Sequence, residues 1–412
     1  MRKTNLKIIN ESREFRVEEM FFSRTDLTGR ILSGNSVFQK ISGYSWEDLM
    51  HKPHNVIRHP DMPRCVFQLF WSLLLQNKPV AAYVKNLAAD GRYYWVFALA
   101  LPCDNGFVSI RIKPTSNRLQ IVENLYNQIL GIEQKTNIDE ASAKLLQELH
   151  KIGFENYQDF MTDSLLLEIM TRNKSLANNI SLECLHDITK LHTIGKELTS
   201  SAVSALKIHQ TNRFQALNLE ITSANSELTA NSMGKIAHYF QGISQGIKSD
   251  VNKLNGIIKT VNDRLSEAQF LIAATDLIGE MVLSFKHEVE TSSVHFKQEQ
   301  ATLTNLASKY YQEVYNNSLD LNVVLRNLKL TSEELANSIG GLEFVRITGK
   351  IEASTLNEEL VFRSSIHEMA KVVNELKKII INIRDKQEIM FKRSNEITRK
   401  IRDKSLEFQY AE

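Results

Sequence analysis

The chain has 412 residues, enough for about two to four domains of ordinary size. Its 50 lysines and arginines nearly balance its 48 acidic residues, and a net charge of +2 gives no reason to expect nucleic acid or an anionic membrane as the main partner. Hydrophobic residues make up 42% of the chain, which excludes an intrinsically disordered protein and allows a globular core.

The sequence has no uninterrupted apolar run of about 18 residues or more, the length that a membrane-spanning helix needs. The best candidate, residues 270–282, contains Asp276 and Glu280. The N-terminal residues have no apolar stretch long enough for a signal peptide. The cysteines lie far apart and offer neither a disulfide framework nor metal-ligand spacing. We therefore expect a soluble, cytoplasmic protein without a transmembrane segment.

Proline and tryptophan divide the chain into two parts. All the prolines and tryptophans lie before residue 115. Because proline removes a backbone donor and clashes with the preceding turn, a long proline-free stretch is expected to be mostly helical. The predicted segments are an N-terminal extension over residues 1–19, a mixed α/β domain over 20–114, a helical connector over 115–225 and a coiled-coil or helical-bundle output region over 226–412.

The α/β domain is predicted to contain two strands, short helices and then three more strands. Asn35 is a suitable N-cap for the first helix, because its side chain can accept hydrogen bonds from the free amides of the first turn. The dipeptides Asp90-Gly91 and Asn105-Gly106 are strong turn signals between β-prone runs. They predict an antiparallel meander with strands at residues 81–88, 92–101 and 106–113.

The region after residue 115 shows helical periodicity. An apolar seam runs from Met233 to Ile272 in steps of three and four, over roughly five heptads, which predicts a coiled coil or a long helical bundle. A second seam runs from Ile366 to Ile383, with charged outer faces typical of a solvated helix. We expect a parallel homodimer, because a lone helix would expose the long seam. The alternative is that the chain folds back and buries the seam itself.

One run in the N-terminal domain is highly specific. It reads PHNVIRHPDMP over residues 53–63 and lies within the segment ISGYSWEDLMHKPHNVIRHPDMPRCVFQLFWSLLLQNKP, which is followed by VKN, DG and YYWV. With these motifs, residues 20–114 resemble the PAS domain of aerotaxis receptors, a small sensor fold. The resemblance implies that the domain binds FAD and reports the redox or oxygen state of the cell.

The residue types in this domain are compatible with flavin binding. Arg58 suits phosphate because its guanidinium offers paired donors, and Trp71 and Trp95 offer flat apolar surfaces for the isoalloxazine ring. Asn86 could hydrogen-bond the polar edge of the ring. The alternative is that the tryptophans belong to the core and that Arg58 pairs with Asp61 to hold a loop. The candidate cofactor-binding residues are Asn35, Asn55, Arg58, His59, Asp61, Trp71, Asn86 and Trp95.

One position departs from the aerotaxis pattern. That family has a tryptophan directly after the proline that precedes the third strand, whereas Val80 follows Pro79 here. If that tryptophan contacts the flavin, this pocket has lost a stacking surface and could bind FAD more weakly, hold another ligand or be empty. A light-sensing flavin domain is not expected, because its N-C-R-F-L motif is absent and Cys65 follows HPDMPR instead.

A second, altered motif lies near the C-terminus. Residues 339–369 read IGGLEFVRITGKIEASTLNEELVFRSSIHEM, and they resemble the hairpin tip of methyl-accepting chemotaxis proteins. The resemblance implies contact with the chemotaxis coupling protein and kinase through an apolar ridge before the turn. The alternative is an ordinary helix with a polar turn. The matching output positions are Phe344, Val345, Ile347 and Glu352.

Motifs of enzymes are absent from the sequence. It has no P-loop, no G-x-S-x-G, no H-E-x-x-H and no dinucleotide-binding fingerprint, so we expect neither catalytic residues nor a metal site. The expected architecture is an α+β PAS domain followed by an all-α region. The expected function is a signal-transduction sensor that reports redox or oxygen state through a flavin to a chemoreceptor-like helical output. The alternative is a non-enzymatic scaffolding dimer with an unliganded PAS domain.

Overall fold

The computed structural model describes residues 7–176, 183–224, 230–288, 295–355 and 359–409. The chain divides into two compact units. The first unit comprises residues 1–185, 269–314 and 402–412, and the second comprises residues 186–268 and 315–401.

The first unit contains one antiparallel sheet of five strands in the spatial order β2-β1-β5-β4-β3. The last three strands form the predicted meander, with small differences at the strand ends. This order of strands confirms the predicted α+β architecture of the N-terminal domain. The strands are β1 (Phe21–Thr25), β2 (Ile31–Gly34), β3 (Val80–Leu87), β4 (Tyr93–Cys103) and β5 (Gly106–Ile112).

The glycines of the two predicted turns are required by the backbone. Gly91 and Gly106 have φ angles of +88° and +150°, a region that glycine enters without the steric cost of a Cβ. A Cβ on Gly106 would lie 1.9 Å from the carbonyl oxygen of Thr25. The turn between β4 and β5 therefore depends on glycine at this position.

Short helices cover the inner face of the sheet. They are α1 (Ser36–Ser42), α2 (Trp46–Leu49) and α3 (Arg64–Leu75), with a 3-10 turn at His54–Ile57. Asn35 is the N-cap of α1, as predicted: its Oδ1 accepts from the backbone N–H of Phe38, at 3.1 Å, and of Phe22, at 2.9 Å. One side chain thus joins the start of α1 to strand β1.

Helices from the predicted connector pack on the outer face and on α3. They are α4 (Arg118–Glu133), α5 (Ile138–Lys151) and α6 (Tyr157–Ser175), and all three belong to the same compact unit as the sheet. The hydroxyl of Tyr126 donates to the carbonyl of Tyr83 at 3.2 Å, and that of Tyr157 donates to the carbonyl of Ala81 at 3.2 Å. Helix α5 packs against α3 and α4. The sheet is therefore buried on both faces.

The rest of the described chain consists of four long helices, α7 (Glu183–Ala224), α8 (Ala230–Ser284), α9 (Phe296–Thr355) and α10 (Glu359–Gln409), with a 3-10 turn at Phe285–His287. In the second unit the predicted seam is buried within the single chain. Met233, Phe240, Val251 and Val261 have no exposed surface. The homodimer remains a prediction, because burial of the seam no longer requires a second chain.

Candidate functional site

A cavity of about 660 Å³ lies between the inner face of the sheet and helix α3. Its volume is in the range of about 300–1,000 Å³ that is usual for small-molecule sites. Side chains alternate between the two faces of a strand, so every second residue of β4 points toward it. Two of these residues, Ala98 and Ala100, are small, whereas Phe97 and Leu99 point to the outer face. The space for a ligand thus comes from alanines in the middle of the sheet.

Aromatic rings form the wall opposite the sheet. Trp71 lies on α3, is half-buried and packs edge-to-face on Phe107, with ring centroids 5.4 Å apart. A Cβ on Gly29, which has a φ of +77°, would lie 3.1 Å from Cη2 of Trp71. The lack of a side chain at Gly29 therefore leaves room for the indole ring.

Four of the predicted cofactor-binding residues line this cavity: Asn55, Arg58, Trp71 and Asn86. Asn86 is buried on β3, and its backbone forms a bridge with Arg58. The guanidinium of Arg58 donates to the carbonyl of Met62 at 2.7 Å and lies 4.2 Å from the ring centroid of Phe67. The backbone bridge brings together two predicted residues that are far apart in the sequence.

The other four predicted residues do not line the cavity. Asn35 caps helix α1. His59 is buried and accepts from the backbone N–H of Asp61 at 3.1 Å, while the Asp61 carboxylate pairs with Lys85 at 3.0 Å. Burial and the charge of Lys85 lower the pKa of His59, and Asp61 opposes this shift. These contacts hold the loop that precedes α3.

Trp95 lies on the outer face of the sheet, away from the cavity. Its ring packs on Tyr126 of α4, with centroids 6.2 Å apart. Its neighbours Tyr94 and Val96 point to the inner face, since alternate residues of β4 face opposite sides. Trp95 therefore matches the core alternative rather than the flavin contact. Val80 is buried and does not line the cavity either.

The sequence prediction missed two polar residues that line the cavity, Arg111 and His54. Arg111 on β5 is 4% exposed, and its Nη2 donates to Ser23 Oγ at 2.9 Å and lies 2.6 Å from Nε2 of His54. Burial and the charge of Arg111 lower the pKa of His54 well below its usual value, so the imidazole is neutral and can accept this hydrogen bond. An arginine within the apolar strand GFVSIRI was the available signal.

The outer face has its own polar centre at Glu168 of α6, which is fully buried. Its carboxylate accepts from the Tyr83 hydroxyl at 2.7 Å and from the backbone N–H of Thr115 at 2.7 Å, and it also accepts from Ser116. One turn later on the same helix, Arg172 forms an ion pair with Glu280 of α8. Helix α6 thus joins strand β3, the segment after β5 and helix α8.

Residues near the helix ends also contact strand β1. The Nε of Arg24 donates to both carboxylate oxygens of Glu299, at 3.0 and 2.8 Å. Phe22 packs edge-to-face on Phe285, with centroids 5.0 Å apart. Residues at the end of α8 and the start of α9 therefore rest on the sheet within the first unit.

The predicted output residues lie on α9. Phe344 is 71% exposed and Ile347 is also exposed, while Val345 and Glu352 are half-buried. The helix ends at Thr355, and the polar turn that the motif predicts falls on residues 356–358, outside the described residues. Two of the four residues are thus accessible to a partner.

Residues 31–110 match the family model described as PAS fold. Over 112 residues the chain is 38% identical to the aerotaxis receptor of Escherichia coli (strain K12). The aligned region makes up 26% of this chain and 22% of that protein. It is 24% identical over 166 residues to the nitrogen fixation regulatory protein of Klebsiella pneumoniae, covering 37% and 33% of the two chains. The solved PAS domain of a Colwellia psychrerythraea protein is 21% identical, covers 23% of this chain and 85% of that one, and has a TM-score of 0.22.

The chain spans between about a fifth and a third of the length of these curated relatives. No helix in the described ranges is long and apolar enough to cross a membrane. The curated relatives are named as a receptor and as a regulatory protein, and residues 31–110 contain the inner helices, strands β2, β3 and β4 and most of β5. The N-terminal domain of this chain is a PAS domain, similar to that of the aerotaxis receptor.

Proposed function

We propose that the protein is a non-enzymatic signal-transduction sensor whose PAS cavity binds a flavin, FAD, and reports redox or oxygen state to the helical region. The observation that carries the proposal is the cavity itself. It has a flat floor at Ala98 and Ala100, aromatic walls at Trp71 and Phe107, and a polar side chain at Asn86. This combination suits a planar heteroaromatic ring with one polar edge.

The residues present fit the cofactor. The buried Asn86 amide and the Arg111 guanidinium supply hydrogen-bond donors beside the aromatic wall. Arg64 is exposed at the cavity edge and Arg58 is half-buried, so both can meet phosphate groups that stay in water. When bound, the flavin would supply the electron-accepting chemistry, and the protein would hold and orient it.

The signal would leave the domain through contacts on the outer face. Val84 lines the cavity, and the adjacent Tyr83 donates to Glu168 of α6. A shift of β3 would therefore be felt at α6 and at the ion pair between Arg172 and Glu280. We expect this shift to change the relative populations of two discrete arrangements of the helices, because packed helices switch between arrangements rather than deform continuously.

The output would be a contact of α9 with the chemotaxis coupling protein and kinase. The exposed side chains of Phe344 and Ile347 support this proposal, because they offer apolar surface to a partner. Homodimerisation is proposed as well. Light scattering tests it: a mass near 47 kDa, which is that of one chain, would contradict the dimer.

The absorbance spectrum of the purified full-length chain tests flavin binding. We expect yellow protein with the two visible bands of oxidised flavin, and FAD in the supernatant after denaturation. Arg58→Ala is expected to release the cofactor while circular dichroism shows an intact fold. Colourless protein that does not take up added FAD would favour the scaffolding alternative, and full flavin occupancy in Arg58→Ala would remove Arg58 from the site.

A further inference from the structure

The buried cation Arg111 has no acidic partner in the part of the chain that the structure describes. Three other arginines of the same unit that are not exposed each pair with a carboxylate: Arg24 with Glu299, Arg118 with Asp163 and Arg172 with Glu280. The Nη2 of Arg111 is satisfied by neutral groups, the Ser23 hydroxyl and the His54 ring. Its Nη1 is buried and has no hydrogen-bond partner.

An unpaired donor on a buried cation is costly, because the group has lost water and gained no acceptor. The groups around it do not supply one. The Phe38 ring lies 5.5 Å from the guanidinium carbon, and the facing residue on β4 is Ala98. Since Arg111 lines the cavity, the missing acceptor is best supplied by whatever the cavity holds.

We propose that Arg111 forms a subsite on the floor of the cavity for a hydrogen-bond acceptor of the ligand. Its Nη1 donates there to a carbonyl or anionic edge of a planar ligand. This rests on the proposed function, and in a flavin the edge would be the pyrimidine side of the isoalloxazine ring. The phosphates of FAD are an unsuitable partner, because they are strongly hydrated whereas Arg111 is 4% exposed on a central strand. Arg64 and Arg58 at the more open side are the better phosphate ligands.

The subsite predicts opposite effects of one substitution. Arg111→Met removes an unpaired buried charge, so the flavin-free protein is expected to melt at a higher temperature than the wild type. The same change removes the donor to the ligand, so affinity is expected to fall. Substitution of a residue that only holds the sheet together would lower both the melting temperature and the ligand affinity.

The experiment uses the full-length chain after removal of flavin. FAD and riboflavin, which has the ring but no pyrophosphate, are titrated into the wild type, Arg111→Met and Arg111→Lys. For Arg111→Met we expect affinity for both ligands to fall by about tenfold or more, as for a hydrogen bond to a charged group. Arg111→Lys keeps the charge but loses the planar fork, so it should also weaken both ligands, with little change in melting.

The matched control is Arg24→Met on the neighbouring strand β1. Arg24 does not line the cavity and is paired with Glu299, so its loss should lower the melting temperature and leave flavin affinity within about twofold. Unchanged affinity in both Arg111 variants would overturn the subsite. Weaker binding of FAD alone, with the affinity for riboflavin unchanged, would also overturn the subsite, because Arg111 would then contact the phosphates rather than the ring.

Failure of the proposed function is recognised separately. If the wild type binds neither FAD nor riboflavin, the proposed function as a flavin sensor is wrong. The subsite is then tested by comparing the melting temperatures of the flavin-free wild type and Arg111→Met. A higher melting temperature for Arg111→Met would still support an unpaired cation that awaits another ligand. A lower one would overturn it.

Discussion

The hydroxyl of Tyr83 donates to the buried carboxylate of Glu168 at 2.7 Å, and this contact joins a strand of the cavity floor to helix α6. Both groups are inaccessible to water. Burial and the nearby carboxylate raise the pKa of Tyr83, so the phenol stays protonated and remains the donor. The sheet and the helix are therefore joined by a charge-assisted hydrogen bond rather than by apolar packing alone.

Tyr83→Phe is expected to lower the free energy of unfolding by about 1.5–3 kcal/mol, because it removes a hydrogen bond to a charged group. Tyr157→Phe is the control, since the Tyr157 hydroxyl donates to the neutral carbonyl of Ala81 and should cost only about 1 kcal/mol. Urea denaturation measures both. Equal losses would show that the Glu168 contact has no special strength.

Gly29→Ala is expected to weaken flavin binding and to destabilise the domain. The new Cβ would press on Trp71 at 3.1 Å, and the φ of +77° adds backbone strain of about 1 kcal/mol. Gly153→Ala isolates the strain, because Gly153 has a φ of +100° and nothing within 4 Å of its added Cβ. Fluorescence titration with FAD should show weaker binding for Gly29→Ala only. An equal loss of FAD affinity in both variants would show that the contact with Trp71 does not contribute to flavin binding.

Stability is expected to fall as the pH drops below about 6.5, the ordinary pKa of histidine. The pKa values of His54 and His59 are lowered in the folded protein, so the unfolded chain binds more protons in this range and acid favours unfolding. Each group contributes up to about 1.4 kcal/mol per pH unit until its folded pKa is reached. His54→Gln should flatten the slope of unfolding free energy between about pH 6.5 and 5. An unchanged slope would mean that burial and the charge of Arg111 do not lower the pKa of His54 in the folded protein.

Phe344→Ser is expected to abolish capture of the purified coupling protein from the same organism without changing stability, because the ring is 71% exposed. Val323→Ser is the control, as Val323 is 55% exposed on the same helix outside the predicted tip. A pull-down with both variants decides. Failure of the wild type to bind would leave the PAS domain as it is and remove chemotaxis from the proposed function.

The sequence predicted the fold of the domain well because its signals are local. The Asn35 cap and the turns at Asp90-Gly91 and Asn105-Gly106 depend on residues next to each other in the chain. They specify where strands and helices begin, and the meander follows from them. The packing of α4 and α6 on the sheet was not predicted, because their apolar faces do not indicate which surface they cover.

The cavity was predicted only in part because strand β4 is buried on both faces. An alternating pattern would have shown that Trp95 and Ala98 point in opposite directions, but a doubly covered strand is apolar throughout. Arg111 was missed for a related reason. Its contacts, Ser23 and His54, come from distant parts of the chain and meet only in the folded sheet.

The most direct test of the central claim is calorimetric titration of FAD into flavin-free wild type and Ala100→Leu. Ala100 forms the cavity floor, so a larger side chain should fill the space of the ring and leave the rest of the sheet in place. We predict one FAD bound per wild-type chain and affinity reduced by about tenfold or more in Ala100→Leu. Equal binding to both proteins, or no binding to the wild type, would contradict a flavin in this cavity.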